Sequence, residues 1–398
     1  MAMLFFCGCL SGSGRRQSSR PATLPARPVA TRCRRPPAAT PPPPSSVVAD
    51  VNADAPPAVN ADALPAVHWG SRHVSVWLLR FTVSAVLLVV VFANIPTSEL
   101  ADAWPDSLGT AAAWLIAAVA VTGAAFVMAA VRWWEVAHTL GLRCSLRRML
   151  SDHLAGQFVS SFLPTTIGGD VLRVNRLGRS AGDHYRAFAS VVIERLTGWI
   201  VLPLLTLTAL ALDPGLVSSS VGWALVGGAL GTLAVLAVVL WVAEHPRGLG
   251  RIAGGTVVRD ALGAVHVGLS VYRRRPRATV RLLVVGLAYQ SLLVLAAGFA
   301  AAAVGVRPGA AAMLAFVPLV LAVQVLPISI GGLGVREAAL VFLLASQDVP
   351  DGEAALLGLV LYALTLLVSL AGAPSLAVGG HGRRSRARAA AAYFEQGL

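Results

Sequence analysis

From residue 74 onward the chain alternates between long apolar runs and short polar connections. The runs fall at about 74–95, 111–131, 187–211, 221–243, 280–304, 310–326, 337–346 and 355–378. Most approach the ~20 residues a helix needs to cross the hydrocarbon core of a bilayer. Their apolar residues are continuous rather than spaced along one face, which is a membrane pattern and not that of a water-soluble helix. The pattern predicts an all-α, polytopic membrane protein of about eight transmembrane helices. The seventh run is short for a crossing and reads as a tilted or broken helix.

The flanks read differently. Residues 1–73 are rich in Pro, Ala, Ser and Arg, carry PPPP at 41–44 and have no acid before Asp50. Such a segment cannot bury enough apolar surface to offset its ordering entropy, so a disordered tail is expected. Its opening, MAMLFFCGCL, lacks the basic start of a secretory signal, and an Arg/Ser-rich, acid-poor stretch also fits an organelle transit peptide. The membrane domain then spans 74–378, followed by a basic tail at 379–398.

Composition supports this division. The chain is 56% hydrophobic and 13% charged, against roughly a quarter charged in soluble proteins. A formal charge of +13 could suggest a nucleic-acid binder, but the charge is not spread as one would need. Nine arginines lie from Arg15 to Arg80, eight in 132–186, eight in 247–281 and four in the C-terminal tail. The alternate connections hold one arginine, Arg307, and seven acids: Glu99, Asp102, Asp106, Asp213, Asp348, Asp351 and Glu353. Arginine-rich connections stay in the cytoplasm, so an even number of passes with both termini cytoplasmic is expected. The four cysteines, Cys7, Cys9, Cys33 and Cys144, have no paired metal-site spacing.

Two stretches match: LPTTIGGDVLR at 163–173 and LPISIGGLGVR at 326–336. Both read L-P-x-x-I-G-G-x-x-x-R. With two apolar runs before each copy and two after, they imply a duplicated four-helix unit. Counted along the runs, both copies fall on the cytoplasmic side, so the halves are expected to be parallel repeats; an uncounted re-entrant segment would invert them. Proline removes a backbone donor and the glycine pair opens conformations closed to other residues, so the chain breaks here. Freed backbone groups are tolerated in a membrane only against protein or water. A helix restarting after Gly168-Gly169 or Gly331-Gly332 presents its positive end at the break. Arg173 and Arg336, about one turn into the new helix, could hold a phosphate there. The bland alternative is a surface loop whose arginine meets headgroups generically. Asp170 could cap the first restarted helix and would repel an anion; Leu333 replaces it in the second copy.

Glu194 and Arg195 lie in the third run, Glu194 about two turns in, or ~10 Å at 1.5 Å per residue. Charges at that depth are costly and face partners or a cavity; an internal salt bridge or a snorkelling Arg195 is the structural alternative. With Asp170 and Glu337, Glu194 could hold a cationic headgroup or relay a proton. His153, Gln157, Gln290 and Gln324 are expected to make interhelical hydrogen bonds. The RRRPR run at 273–277 reads as a positive-inside anchor or an anionic-lipid site.

SSFLPTTIGGDVLRVNRL, ASVVIERLTGW and LPISIGGLGVREAALVFLL, in that order, resemble the lysylphosphatidylglycerol synthase transmembrane family over roughly residues 75–378. The resemblance implies a flippase-like membrane half in a bacterial plasma membrane, with matched positions at Pro164, Gly168, Gly169, Asp170 and Arg173. It extends to Glu194, Arg195, Pro327, Gly331, Gly332, Gly334, Arg336 and Glu337. The acid preceding Arg195 is often Asp in the family. Full-length synthases add a soluble aminoacyltransferase domain, for which no counterpart is seen here, so synthase activity is not expected. The leading expectation is a flippase or transporter for a phospholipid or polyprenyl-linked headgroup, with membrane lipids as partners, no nucleic acid and no cofactor. The alternatives are a non-transporting partner of a lipid- or glycan-modifying enzyme and a membrane-embedded lipid-phosphate transferase. The transferase lacks support, since no HExxH occurs and the eight histidines are scattered along the chain. No ATP-binding GxxxxGK[ST] motif is present, and the chain has no lysine to complete one.

Overall fold

The structure is a computed structural model that describes residues 71–96, 107–162, 168–218, 220–244, 256–325, 329 and 331–376. The tail expected to be disordered lies outside these residues up to position 70, as does the basic tail at 379–398. Among the described residues the chain is helical throughout, as the apolar runs predict. Eleven α-helices follow one another: α1 Ser71–Ala93, α2 Leu108–Thr139, α3 Leu146–Phe162, α4 Gly168–Ala181, α5 His184–Leu212 and α6 Ser220–Glu244. They continue with α7 Thr256–Arg273, α8 Pro276–Val304, α9 Ala310–Val323, α10 Val335–Leu344 and α11 Asp351–Ser369. Helices α2, α5, α6, α8 and Asp351–Leu376 are long and apolar enough to cross a membrane; Phe81–Ala93 and α9 are shorter apolar helices. The protein is an all-α polytopic membrane protein.

Local chemistry sets the helix ends. Ser107 Oγ accepts the Thr110 N–H at the start of α2, and the Asp183 side chain accepts the Arg186 N–H at the start of α5. Such caps satisfy backbone donors that have no intrahelical partner. Pro276 opens α8, where its missing N–H costs nothing, and Gly305 closes it in the left-handed region at φ 91°.

Packing clusters define the two ends of the bundle. At one end, Trp133 and Ala137 of α2 pack with Met149 of α3, Leu177 of α4 and Ala187 of α5. Ala243 and Val265 pack with Val192 near the same end. At the other end, Ala209 and Leu210 of α5 pack with Val304, Ala312, Leu340, Leu344 and Ala354. The start of α3 therefore lies beside the end of α4, and the start of α9 beside the end of α10. Each pair is a helical hairpin with the repeated motif at its tip, and the two hairpins open to opposite ends.

This corrects the expectation of parallel repeats. The order is span, hairpin, span in both halves: α2, α3–α4, α5 and then α8, α9–α10, α11. The second unit runs in the reverse sense, the inverted-repeat arrangement of many transporters, and α2 packs extensively along α8. The apolar count missed α3 because Arg147, Arg148, Asp152 and His153 make it too polar to read as a membrane element. Runs 310–326 and 337–346 are the two arms of the second hairpin.

The described residues that flank the two hairpin tips come close together. Tyr362 of α11 donates its hydroxyl to the Ser161 carbonyl at 3.3 Å, and Gly331 sits between Tyr362 and that same carbonyl. At the other side of the second tip, Gly334 lies against Ser84 and Leu87 of α1. The arms of the first hairpin approach so closely that a Cβ on Gly169 would stand 2.1 Å from the Gly156 carbonyl oxygen.

Charge follows the same axis. The first end carries Arg143, Arg147, Arg148, Arg176, Arg179, Arg186 and Arg273 to Arg275, whereas the second carries Arg307 with Asp213, Asp348, Asp351 and Glu353.

Candidate functional site

The first hairpin places α4 against α5, and five charged side chains converge between them and α2. Glu194 is 2% exposed. Its Oε1 accepts from Arg132 Nη2 at 2.8 Å, and its Oε2 accepts from Arg173 Nη2. Asp170 accepts from Arg173 Nη1 at 3.2 Å and from Arg195 twice, through Nε and Nη2, each at 3.0 Å. Arg195 is the outer member, its side chain 43% exposed. Aromatic rings complete the enclosure: the Arg173 guanidinium lies 4.1 Å from the Trp133 ring centroid and that of Arg132 lies 4.7 Å from Tyr289.

The charges do not cancel. Three arginines face two carboxylates, so the cluster holds one positive charge in excess. Arg132 Nε and Nη1 and Arg173 Nε are buried without a hydrogen-bond partner among the described residues, as is Gln290 Oε1. Unmatched donors on a buried cation are costly. The arrangement is short of one anionic acceptor, and the free guanidinium N–H donors suit a phosphate oxygen.

The second hairpin carries the matching centre with different partners. Arg336 is 5% exposed. It donates from Nε to Gln324 Oε1 at 3.1 Å and from Nη2 to the Gly331 carbonyl at 2.9 Å, and stacks 5.4 Å from the Tyr362 centroid. Among the described residues no carboxylate pairs with it. Glu337 is fully buried and accepts the Gly334 N–H through Oε2 at 2.6 Å, leaving Oε1 without a partner. Gly331, Gly332 and Gly334 have φ of 58°, 81° and 81°. These left-handed positions let the chain reverse and bring the Gly331 carbonyl to the arginine, a conformation side-chain-bearing residues resist.

The structure thus gathers Asp170, Arg173, Glu194 and Arg195 into one centre and puts Arg336 and Glu337 in another. Gly168 and Gly169 start α4, where the missing side chain of Gly169 permits the hairpin approach. Pro164 and Pro327 lie outside the described residues. Asp170 spends its oxygens on Arg173 and Arg195 rather than acting as a helix cap. Arg336 stands at the second residue of its helix, nearer the break than Arg173, the sixth residue of α4. Of the weaker candidates, Gln324 holds Arg336. Gln290 lines the first centre beside Gly198 and Arg132. His153 packs edge-on to Phe126, and the Gln157 backbone carbonyl accepts from Ser161.

Sequence reasoning missed Arg132. It was counted with the basic 132–186 connection, but α2 continues to Thr139 and buries it. The available signal was the RWWE string directly after an apolar run, an arginine flanked by aromatic residues that could carry it inward. Outside the spans, burial pushes the Cys144 thiol above its ordinary range, and burial raises the Tyr272 hydroxyl to about 12. Among the described residues no three His, Cys, Asp or Glu side chains converge on a possible metal site.

Residues 77–372 match the family described as the lysylphosphatidylglycerol synthase TM region, and the chain belongs to that family. No curated protein and no solved structure matches it. Family and helices together make it a multi-pass membrane protein with a part in lipid handling.

Proposed function

We propose that this member of the lysylphosphatidylglycerol synthase TM region family moves a phosphate-bearing lipid headgroup across the bilayer. The observation that carries the reading is the buried positive excess at the first hairpin, with unpartnered donors on Arg132 and Arg173. A headgroup phosphate supplies the missing acceptor, while the acyl chains stay in lipid beside the bundle. Arg336, which forms no ion pair with a carboxylate among the described residues, offers a second phosphate position in the inverted half. Alternation between the two halves then exposes Arg173 toward one leaflet and Arg336 toward the other.

The basic end of the bundle belongs in the cytoplasm by the positive-inside rule, which supports cytoplasmic termini, and the family resemblance supports a plasma membrane. The acidic end then faces outward. The substrate class is a phospholipid or polyprenyl-linked phosphate, with energy drawn from a gradient, the membrane potential or a partner protein.

The test is lipid occupancy. Wild-type protein purified in mild detergent is expected to retain phosphate-bearing lipid, identified by mass spectrometry. Arg132→Gln, which removes two of the three unmatched donors and leaves Arg173 to hold Glu194, is expected to retain several-fold less. Equal retention by the two proteins contradicts the reading. Stable co-purification with a lipid- or glycan-modifying enzyme, without bound lipid, would favour a non-transporting partner instead.

A further inference from the structure

We infer that the cleft at the start of α8 is a second, stationary binding site for an anionic phospholipid of the leaflet at the basic end. The cleft measures about 560 Å³ and is lined by Arg275, Pro276, Arg277, Ala278 and Arg281. It lies where α7 turns into α8 at the basic end of the bundle, apart from the buried arginine centres.

Three features select a phosphate. Arg275 and Arg277 are exposed and, among the described residues, have no ion-pair partner, whereas Arg281 is held by Glu135 and Arg273 by Glu244. Arg281 is thereby fixed at the cleft edge while its neighbours stay free to engage a ligand. The cleft also sits on the first turn of a 29-residue helix whose N-cap, Arg275, makes no side-chain cap bond. The positive end of that helix adds to the guanidinium charges. Basic pockets between membrane helices bind lipid headgroups by this chemistry.

A fourth feature selects a lipid over a soluble anion. Below the cleft, Val280, Val284 and Leu287 are 60%, 57% and 45% exposed. With Arg277 they recur at helical spacing along one face of α8. A phosphate held at Arg275 and Arg277 therefore has an apolar track beneath it for its acyl chains. The site needs no transport activity, so it stands or falls independently of the proposed function.

The experiment is native mass spectrometry of delipidated full-length protein titrated with phosphatidylglycerol and, separately, phosphatidylcholine. Wild type is expected to bind phosphatidylglycerol preferentially. R275Q/R277Q is expected to lose about fivefold in affinity per arginine, the equivalent of ~1 kcal/mol each. Because both side chains are exposed and unpaired, the variant is expected to fold; R277E alone gives an independent loss of affinity. R143Q/R147Q, which removes two exposed arginines at the same end outside the cleft, is expected to bind as wild type. Three results overturn the inference: undiminished binding by R275Q/R277Q and R277E, an equal loss in R143Q/R147Q, or phosphatidylcholine bound as tightly as phosphatidylglycerol. Glycerol phosphate that displaces the lipid at equal concentration also overturns it, because the apolar track then adds nothing.

Discussion

Replacing Glu194 with glutamine separates a structural ion-pair lock from a centre built to receive an anion. The glutamate joins Arg132 of α2 to Arg173 of α4 from its position on α5, so one side chain ties three helices. The substitution keeps the shape but takes the carboxylate charge out of two hydrogen bonds worth ~1.5–3 kcal/mol each and turns one acceptor into an NH2 that faces a guanidinium. All three side chains are 6% exposed or less, so solvent screening does not soften the loss. Breaking a buried pair by removing one partner costs about 3–5 kcal/mol by independent experience, in agreement with the bond-by-bond figure. The Glu194→Gln protein in phosphatidylcholine nanodiscs is thus expected to melt well below wild type. It also gains a second unit of uncompensated positive charge, since three arginines then face Asp170 alone. Anionic lipid binding only the folded state stabilises by mass action. Phosphatidylglycerol is therefore expected to raise the melting temperature of the variant more than that of wild type. Melting unchanged from wild type in phosphatidylcholine refutes the ion-pair geometry. A clear drop that phosphatidylglycerol fails to reverse refutes the anion-receiving role and leaves a lock.

The two motif arginines should differ. Arg173→Gln strands parts of Asp170 and Glu194 and is expected to cost about 3–5 kcal/mol in detergent melting. Arg336→Gln loses bonds only to Gln324 and the Gly331 carbonyl and is expected to cost ~1–3 kcal/mol; equal losses would deny the asymmetry. Gly169→Ala places a Cβ 2.1 Å from the Gly156 carbonyl oxygen and is expected to abolish well-folded expression, while Gly123→Ala, with nothing within 4 Å, is expected to express normally; size-exclusion profiles compare them. In a background lacking the native cysteines, Ser145→Cys and Ser180→Cys are expected to label from one side of the membrane and Ser346→Cys from the other, and same-side labelling would restore parallel repeats. Burial that pushes the Cys144 thiol up leaves less thiolate at pH 8, so Cys144 is expected to alkylate more slowly than an unstructured cysteine, by site-resolved mass spectrometry.

The sequence pattern was most informative where membrane physics is least forgiving. Helices that cross lipid must be long and apolar, so α2, α5, α6, α8 and α11 were legible from residue type alone. The repeated L-P-x-x-I-G-G-x-x-x-R was legible for a related reason: proline beside paired glycines in apolar surroundings has few uses other than a chain break. The direction of the repeat was not legible. It depends on α3, whose Asp152 is buried and shielded by Arg176 of α4, which bonds both Asp152 and the Ser375 carbonyl just beyond α11. No composition rule anticipates that shielding.

The site was legible in part. Glu194 stood out because a carboxylate two turns inside an apolar run has no cheap resting place. Arg132 did not, because an arginine at the edge of such a run ordinarily snorkels to water. Only the packing of Trp133 and Tyr289 around the guanidinium groups shows that α2 carries Arg132 inward. The partners of Arg336 were half visible: Gln324 as a polar residue within a run, but the Gly331 carbonyl only once the backbone is seen to reverse.

The central claim is that a lipid phosphate crosses the bilayer by way of the two motif arginines. It is tested most directly by headgroup translocation in proteoliposomes, reading protection of labelled phosphatidylglycerol from an external quencher. Wild-type protein is expected to accelerate exchange between leaflets over empty vesicles, with Arg173→Ala and Arg336→Ala each reducing that exchange toward the empty-vesicle rate. Exchange by both variants as fast as wild type, in protein that is folded and inserted, would contradict it.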